Sequence, residues 1–200
     1  MSGAATHFLS VATEWGSTHG GLSTFNRQLC ISLAGVSGIQ VTCLVLEATD
    51  NDRKDAAAAG VRLVTAPHLS GASMSERLSR RPNLGSLGTP DVIIGHARIT
   101  GHAAQALGEI YPSAKRLHFI HMIPDDIERY KLDRGEDAES LMEERHQAEL
   151  ELCESADYCA AVGPRIHAWF MRDLEARGAD LKRLLRFDPG FDSGDATSVL

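Results

Sequence analysis

Short apolar runs alternate along this chain with longer segments in which apolar residues recur every three or four positions. The runs have the length of strands, and the periodic segments have the length of helices. Strands are predicted at 7–13, 40–47, 61–66, 91–95, 116–121, 157–162 and 184–187. Helices are predicted at 22–34, 56–60, 100–110 and 140–155, and a last helix begins at Pro164 and ends at Gly178.

This alternation predicts an α/β fold. Strands that are apolar along their whole length are buried on both faces, so we expect a Rossmann-like open parallel sheet with helices on both faces. No repeat or internal linker divides the sequence, and residues 1–200 are therefore expected to form a single domain. Ligands of such sheets bind beyond the carboxyl ends of the strands, which directs attention to residues 14–21, 47–50, 96–100 and 121–126.

The segment 67–90 differs from its surroundings, because it is rich in Ser, Gly and Arg. A short helix is expected at 73–79. Two interpretations stay open for the segment: a flexible surface loop, or a functional basic edge formed by Arg77, Arg80 and Arg81.

The loop after the first predicted strand ends in Gly20 and Gly21, at the start of a helix. Without Cβ atoms, these residues let backbone N–H groups approach an anion, which the helix dipole also favours. The loop matches neither the dinucleotide fingerprint nor the Walker pattern. It is either a phosphate-binding or sugar-binding loop, which would also present His19, or a plain strand-to-helix turn.

Histidines follow two further strands. His121 is placed to hydrogen-bond a sugar hydroxyl or to shuttle a proton, while a structural role is the alternative. His118 belongs to the same strand and is expected to point to the opposite face. His96 and Arg98 lie beyond another strand, where Arg98 is suited to a phosphate or carboxylate. A solvated loop is the other interpretation of that pair.

Two acidic residues, Glu47 and Asp50, follow the second strand and are either solvated turn residues or partners of a ribose hydroxyl. His19, His96 and His121 are expected on one rim of the sheet. Their spacing matches no compact zinc motif, so no metal site is expected.

Composition narrows the class of protein. With a net charge of −7, the chain is not expected to bind nucleic acid through its phosphates, and it shows no strong membrane signal. The four cysteines are expected to be buried free thiols of a reducing compartment. The N-terminal residues resemble no signal peptide, so the expected location is the cytoplasm. The four cysteines are Cys30, Cys43, Cys153 and Cys159.

Several motifs, in order, resemble those of family 4 glycosyltransferases with the GT-B fold. The stretch GSTHGGLSTFNRQLCISLA resembles the family's glycine-glycine loop and first helix, and PDVIIGHARITGHAAQAL resembles its "pDvihaH" strand and following helix. RLHFIHMIPDD resembles the "vvtvHd" strand end, and ADYCAAVGPRIHAWFMRDL resembles the strand and helix near the end of the family's N-terminal domain. LLRFDPGFD stands where the family has "v.viPNGvD".

The resemblance implies an acceptor-side, N-terminal domain that faces a donor-binding domain across a cleft. It implies metal-independent, retaining transfer of a sugar from a nucleotide-sugar, which is a substrate, with no cofactor. Gly20 and Gly21 would approach the donor phosphates or the transferred sugar, His121 would meet a sugar hydroxyl as the catalytic residue, and His96 would line the acceptor side.

Departures from the family limit this interpretation. Asp188, Pro189 and Gly190 replace the PNG turn, and the donor-phosphate basic pair and the E-x7-E element have no counterpart among the 200 residues. The expected function is therefore the acceptor-side domain of a glycosyltransferase, active only when a C-terminal domain completes it in cis or in trans. The alternative is a non-catalytic module that binds a small ligand or a protein. The sequence names neither the donor, nor the acceptor, nor the oligomeric state.

Overall fold

The computed structural model describes residues 5–16, 20–123 and 137–190. Seven strands form one sheet in the order β3-β2-β1-β4-β5-β6-β7, and all pairs are parallel. The strands are β1 (Thr6–Val11), β2 (Ile39–Val45), β3 (Val61–Thr65), β4 (Val92–His96), β5 (Lys115–Ile120), β6 (Tyr158–Val162) and β7 (Leu184–Phe187).

Helices cover both faces of this sheet, which confirms the predicted Rossmann-like class. They are α1 (Gly21–Ala34), α2 (Asp50–Ala58), α3 (Met74–Leu78), α4 (Ala97–Ile110), α5 (Asp137–Ser155) and α6 (Pro164–Ala176), with 3-10 turns at Gly85–Leu87 and Leu181–Arg183. One face of the sheet carries α1 and α2, and the core between these helices and the sheet includes Cys30, Val41 and Phe119. The opposite face carries α3 to α6. No helix in the described ranges has the length and apolar character that a bilayer crossing requires.

The second helix was predicted too short. It begins at Asp50 and not at residue 56, because Thr49 and Asp52 form a reciprocal cap in which each side chain binds the other's backbone N–H. The polar run DNDRKD has no apolar period, and the capping pair was the signal for this helix. Asp50 therefore lies in the first helical turn, so its interpretation as a turn residue is wrong.

The segment 67–90 is packed against the sheet. The predicted short helix is confirmed as α3, and Leu78 and Leu84 are buried in the core beside α4. Arg77 donates through its guanidinium to the carbonyl oxygens of Pro67 and Leu46, at 3.2 Å each. The interpretation as a plain surface loop is therefore wrong, since the segment contributes core residues.

The loop after β1 is held by its tryptophan. Trp15 is buried, and its indole N–H donates to the Asp55 carboxylate of α2 at 2.7 Å. Arg27 of α1 binds the same carboxylate through both Nε and Nη2. Donation by Trp15 and Arg27 lowers the pKa of Asp55. These contacts fix the start of the loop that leads to Gly20.

Candidate functional site

The principal cleft lies between β1 and β4, where successive strands stop being added to one side of the sheet and begin to be added to the other. Strand order changes at this point, and helices that leave adjacent strands diverge, so the fold opens a crevice there. The cleft has a volume of about 330 Å³. It is lined by Thr13 at the end of β1, by the first turns of α1 and α4, and by side chains of α5.

Both helices that open onto the cleft begin without a side-chain cap. Gly20 is the N-cap of α1 and has a φ of 126°, which an L side chain rarely adopts. Among the described residues, no atom lies within 4 Å of the position that a Cβ would take at Gly20 or Gly21. The first N–H groups of a helix have no partner within the helix, so a first turn without a side-chain cap is suited to bind an anion or a sugar oxygen.

His96 is the last residue of β4 and is 1% exposed, so the solvated-loop interpretation of this residue is wrong. The next residue, Ala97, has a φ of 47°, and the chain turns sharply there into α4. Thr100 closes this turn, because its hydroxyl accepts from His96 N at 2.8 Å and donates to His96 O at 2.7 Å. The turn directs the imidazole toward α1 and away from solvent.

A line of hydrogen bonds joins three side chains behind the cleft. Nε2 of His96 lies 2.9 Å from Oδ1 of Asn26, and Nδ1 of His96 lies 3.1 Å from Nε2 of His121. Oδ1 of Asn26 also accepts from Ser10 Oγ at 2.5 Å. The structure thus brings together His96 and His121, which were expected on one rim of the sheet, and links them through α1 to β1.

Both imidazoles on this face are neutral near pH 7. Burial, with a smaller contribution from the His118 imidazole, lowers the pKa of His121 to about 4. Burial, followed by the positive potentials of His121 and His118, holds the pKa of His96 well below its usual value. At pH 7, a group with a pKa of about 4 carries a proton in roughly one molecule in a thousand.

Aromatic rings surround the two histidines. The Phe25 ring meets the His121 ring edge-on, with centroids 4.7 Å apart, and meets the His96 ring at 5.9 Å. Phe119 stacks against His96 at 5.2 Å. This packing holds each imidazole in one orientation and accounts for the desolvation that keeps both neutral.

His118 lies on the opposite face of β5, which confirms the predicted alternation. Its Nε2 is 2.9 Å from Oε2 of Glu149 on α5, and both residues are buried. Gly101 of α4 allows the close approach, since a Cβ there would be 2.7 Å from the His118 ring. Glu149 also lines the principal cleft, so the carboxylate reaches the site from the side of α5.

Arg98 lines the cleft in the first turn of α4. Its side chain is 46% exposed, and its guanidinium is 4.0 Å from Glu144. It is therefore positioned on the solvent side of the site, where a phosphate or carboxylate could reach it. His19, predicted beside the glycines, lies outside the described residues.

A larger cleft of about 800 Å³ adjoins the first one and shares Thr13 and Ile99 with it. Its wall carries carboxylates from the ends of β1 and β2 and from α2, including Glu14, Glu47 and Asp52. Arg77 lies on the same wall, 3.8 Å from Glu47. In the described part of the chain, no group of three His, Cys, Asp or Glu side chains could hold a metal ion.

Sequence reasoning missed Asn26. The apolar stripe of α1 drew attention to Phe25 and its neighbours, yet the buried residues of this helix are Ser23, Asn26 and Cys30. They recur at three- and four-residue steps, which is itself a helical stripe made of small and polar residues. A polar residue on the stripe that faces a sheet was the available signal, because buried polar groups need partners.

Comparisons with known proteins identify a family. A family model described as Family 4 Glycosyltransferase in conflict systems matches residues 9–199. One structural neighbour is an O-GlcNAc transferase mutant of Thermobaculum terrenum, with a TM-score of 0.36 and 11% identity. The match covers 99% of this chain and 47% of that chain, so the chain spans about half the length of this neighbour. Among curated proteins, none matches this chain.

Proposed function

The chain belongs to the family 4 glycosyltransferases in conflict systems, and from that premise we propose that it is the acceptor-side domain of an enzyme that transfers a sugar from a nucleotide-sugar. A donor-binding domain, supplied in cis or in trans, would complete the active site. The proposed transfer retains anomeric configuration and needs no metal, as the resemblance implies.

One observation supports this proposal above the others. The cleft between β1 and β4 is lined by the first turns of two helices without side-chain caps and by His96, whose Nδ1 lies 3.1 Å from Nε2 of the neutral, partly exposed His121 just after β5. Backbone N–H donors suit the negative charge that develops on a leaving phosphate, and the imidazole suits a hydroxyl. A nucleotide-sugar carries both groups, so one ligand would satisfy both parts of the cleft.

Gly20 and Gly21 would contribute their backbone N–H groups to the donor phosphates or to the transferred sugar. The open space over both residues supports this role, because no side chain of the described residues fills it. Arg98 would add a cation at the rim of the same cleft.

His121 would hold a sugar hydroxyl and would not carry a proton through the reaction. A general base works best when its pKa lies near the working pH, and His121 has a pKa of about 4. A neutral imidazole at pH 7 is a good hydrogen-bond partner for a hydroxyl. Of the two chemical roles left open by the sequence, the structure therefore favours binding and orientation of the sugar.

The acceptor would occupy the larger cleft. This cleft adjoins the smaller one at Thr13 and Ile99, so a hydroxyl of an acceptor there would lie beside the donor sugar. Its carboxylates, including Glu47, suit an acceptor that carries hydroxyl or cationic groups. We also propose a cytoplasmic location, since all four cysteines are free thiols and buried.

The test uses the natural polypeptide that contains this chain, supplied with a panel of nucleotide-sugars. In that enzyme, His121→Ala should lower kcat roughly five-fold, because a hydrogen bond made in the transition state is worth about 1 kcal/mol. The free energy of unfolding, measured by urea titration, should change much less than for a core truncation. His102→Ala is a matched control, since His102 is also partly exposed and lies on the solvent side of α4.

Two outcomes would contradict the proposal. A wild-type kcat in His121→Ala would show that this residue does not contribute to turnover. Failure of the complete polypeptide to turn over any nucleotide-sugar, together with tight binding of a small ligand, would favour the non-catalytic module.

A further inference from the structure

We propose that Asn26 and His96 are positioning residues that hold His121 in a single tautomer, with its proton on Nε2 and with Nδ1 as a bare acceptor. The proposal rests on the proposed function only in taking His121 as the residue that meets the ligand. Its physical content concerns the direction of three hydrogen bonds, and this direction can be measured without a substrate.

The direction of these hydrogen bonds is determined first at the buried side-chain amide of Asn26. Its oxygen lies 2.5 Å from Ser10 Oγ, and its Nδ2 lies 3.4 Å from Cys43 Sγ. A separation of 2.5 Å fits an O–H···O bond and is too short for N–H···O, so Oδ1 and not Nδ2 faces Ser10. The thiol of Cys30 approaches the same oxygen at 3.9 Å. The amide orientation is therefore determined by its neighbours on α1, β1 and β2.

An amide oxygen only accepts hydrogen bonds, and the rest of the line follows from that fact. Nε2 of His96, 2.9 Å from Asn26 Oδ1, must carry a proton. Since His96 is neutral, its Nδ1 is bare and accepts from Nε2 of His121 at 3.1 Å. His121 then holds its own proton on Nε2, which leaves Nδ1 bare.

The opposite orientation of the amide would reverse every hydrogen bond of the line, so the amide orientation selects between two states. An Asn26 turned by 180° would donate to His96 Nε2, His96 would donate to His121, and Nδ1 of His121 would carry the proton. The first state offers the ligand an acceptor, and the second offers a donor. Asn26 thus decides which kind of group His121 can bind.

Specificity follows from the bare Nδ1. It accepts from a hydroxyl or an N–H group, and it repels the oxygens of a phosphate or a carboxylate, which have no proton to donate. The ligand group at His121 is therefore a hydrogen-bond donor, as a sugar hydroxyl is. The phosphates are left to the N-termini of α1 and α4, which have no side-chain cap.

Nitrogen-15 NMR of the histidine side chains tests the proposal on the 200-residue chain at pH 7, because protonated and bare ring nitrogens have different shifts. We expect His96 and His121 each to show Nε2–H and a bare Nδ1. A proton on Nδ1 of His121 in the wild-type chain would overturn the proposal. This measurement needs no variant and does not depend on how any variant folds.

Asn26→Leu sharpens the test, since leucine has a similar size and no acceptor. A second tautomer, with the proton on Nδ1, should then appear at His96 and at His121. Thr42→Val is the matched control, because it removes a buried hydroxyl 2.9 Å from His7 Nε2 on the opposite face of the sheet. It should change the His7 signals and leave His121 unchanged. Identical His96 and His121 tautomers in Asn26→Leu and wild type would show that Asn26 does not position them.

The two proposals can fail separately. A bare Nδ1 at His121, combined with wild-type turnover of His121→Ala in the complete enzyme, would retain the positioning role and reject the catalytic one. A protonated Nδ1 at His121, combined with lost turnover in His121→Ala, would reject the positioning role and retain the catalytic one.

Discussion

The two faces of strand β5 carry histidines in opposite situations. On the face covered by α5, His118 lies 2.9 Å from a buried carboxylate, that of Glu149. On the face covered by α1, His121 contacts a second imidazole and an aromatic ring, and no carboxylate of the described residues pairs with it. The two residues are three positions apart in the chain, with His118 within β5 and His121 immediately after it.

The difference shows that the neighbouring helix, and not the strand, determines what a histidine does here. A carboxylate partner fixes one imidazole as half of a buried pair, whose main effect is on stability. An imidazole among rings and an amide stays neutral and keeps its hydrogen-bonding capacity for the cleft. Three variants test this comparison.

The largest expected effect comes from breaking the His118–Glu149 pair. Glu149→Ala leaves a buried imidazole without its partner, and we expect it to lower the free energy of unfolding by about 3 kcal/mol. Urea titration monitored by circular dichroism measures this loss. Glu149→Gln keeps an oxygen that can accept from His118 Nε2, so it should lose much less. Equal losses in the two variants would mean that the carboxylate charge, and not the hydrogen bond, stabilises the pair.

A smaller effect is expected in the pH dependence of the free energy of unfolding, which distinguishes the His121 face from the His118 face. The pKa values of His96 and His121 are lowered in the folded chain, so the unfolded chain binds more protons than the folded one as the pH falls below about 6.5, and for His121 this range extends to about pH 4. Their contribution to stability is therefore complete above pH 6.5 and is lost as the pH falls. Each histidine should remove up to about 1.4 kcal/mol per pH unit in this range.

The measurement is the free energy of unfolding from urea titrations at pH 7.5, 6.5, 5.5 and 5.0. His121→Gln should reduce the number of protons taken up on unfolding by about one. His102→Gln, on the outer side of α4, serves as the matched histidine variant for comparison. An unaltered slope in His121→Gln would contradict the assignment of a low pKa to His121.

The smallest expected effect concerns the turn that directs His96. Ala97 has a φ of 47°, where its Cβ crowds the backbone, and glycine has no such cost. Ala97→Gly should therefore stabilise the chain by roughly 0.5 kcal/mol, even though glycine gains freedom in the unfolded state. Ala106→Gly, within the same helix, should instead destabilise it by about 1 kcal/mol. Thermal unfolding compares the two, and a loss of stability in Ala97→Gly would argue against strain at this turn.

The order of strands and helices could be predicted because each element has its own local period. The bounds of β7 were predicted correctly, and α1 began within one residue of its predicted start. The helix α2 was predicted too short, because a capping pair and not an apolar stripe determines its start. The sequence also predicted that residues following β1, β4 and β5 would meet at one edge, since parallel strands end on the same side.

What only the tertiary structure decided is which polar groups touch. His96 was expected in a loop, but the left-handed turn at Ala97 places it inside the sheet, against α1. Asn26 belongs to a different helix, 70 residues away in the chain, and no local pattern links it to His96. Periodicity reports which face of an element is buried. The partner across that face depends on how the layers pack, and that packing is a property of the whole chain.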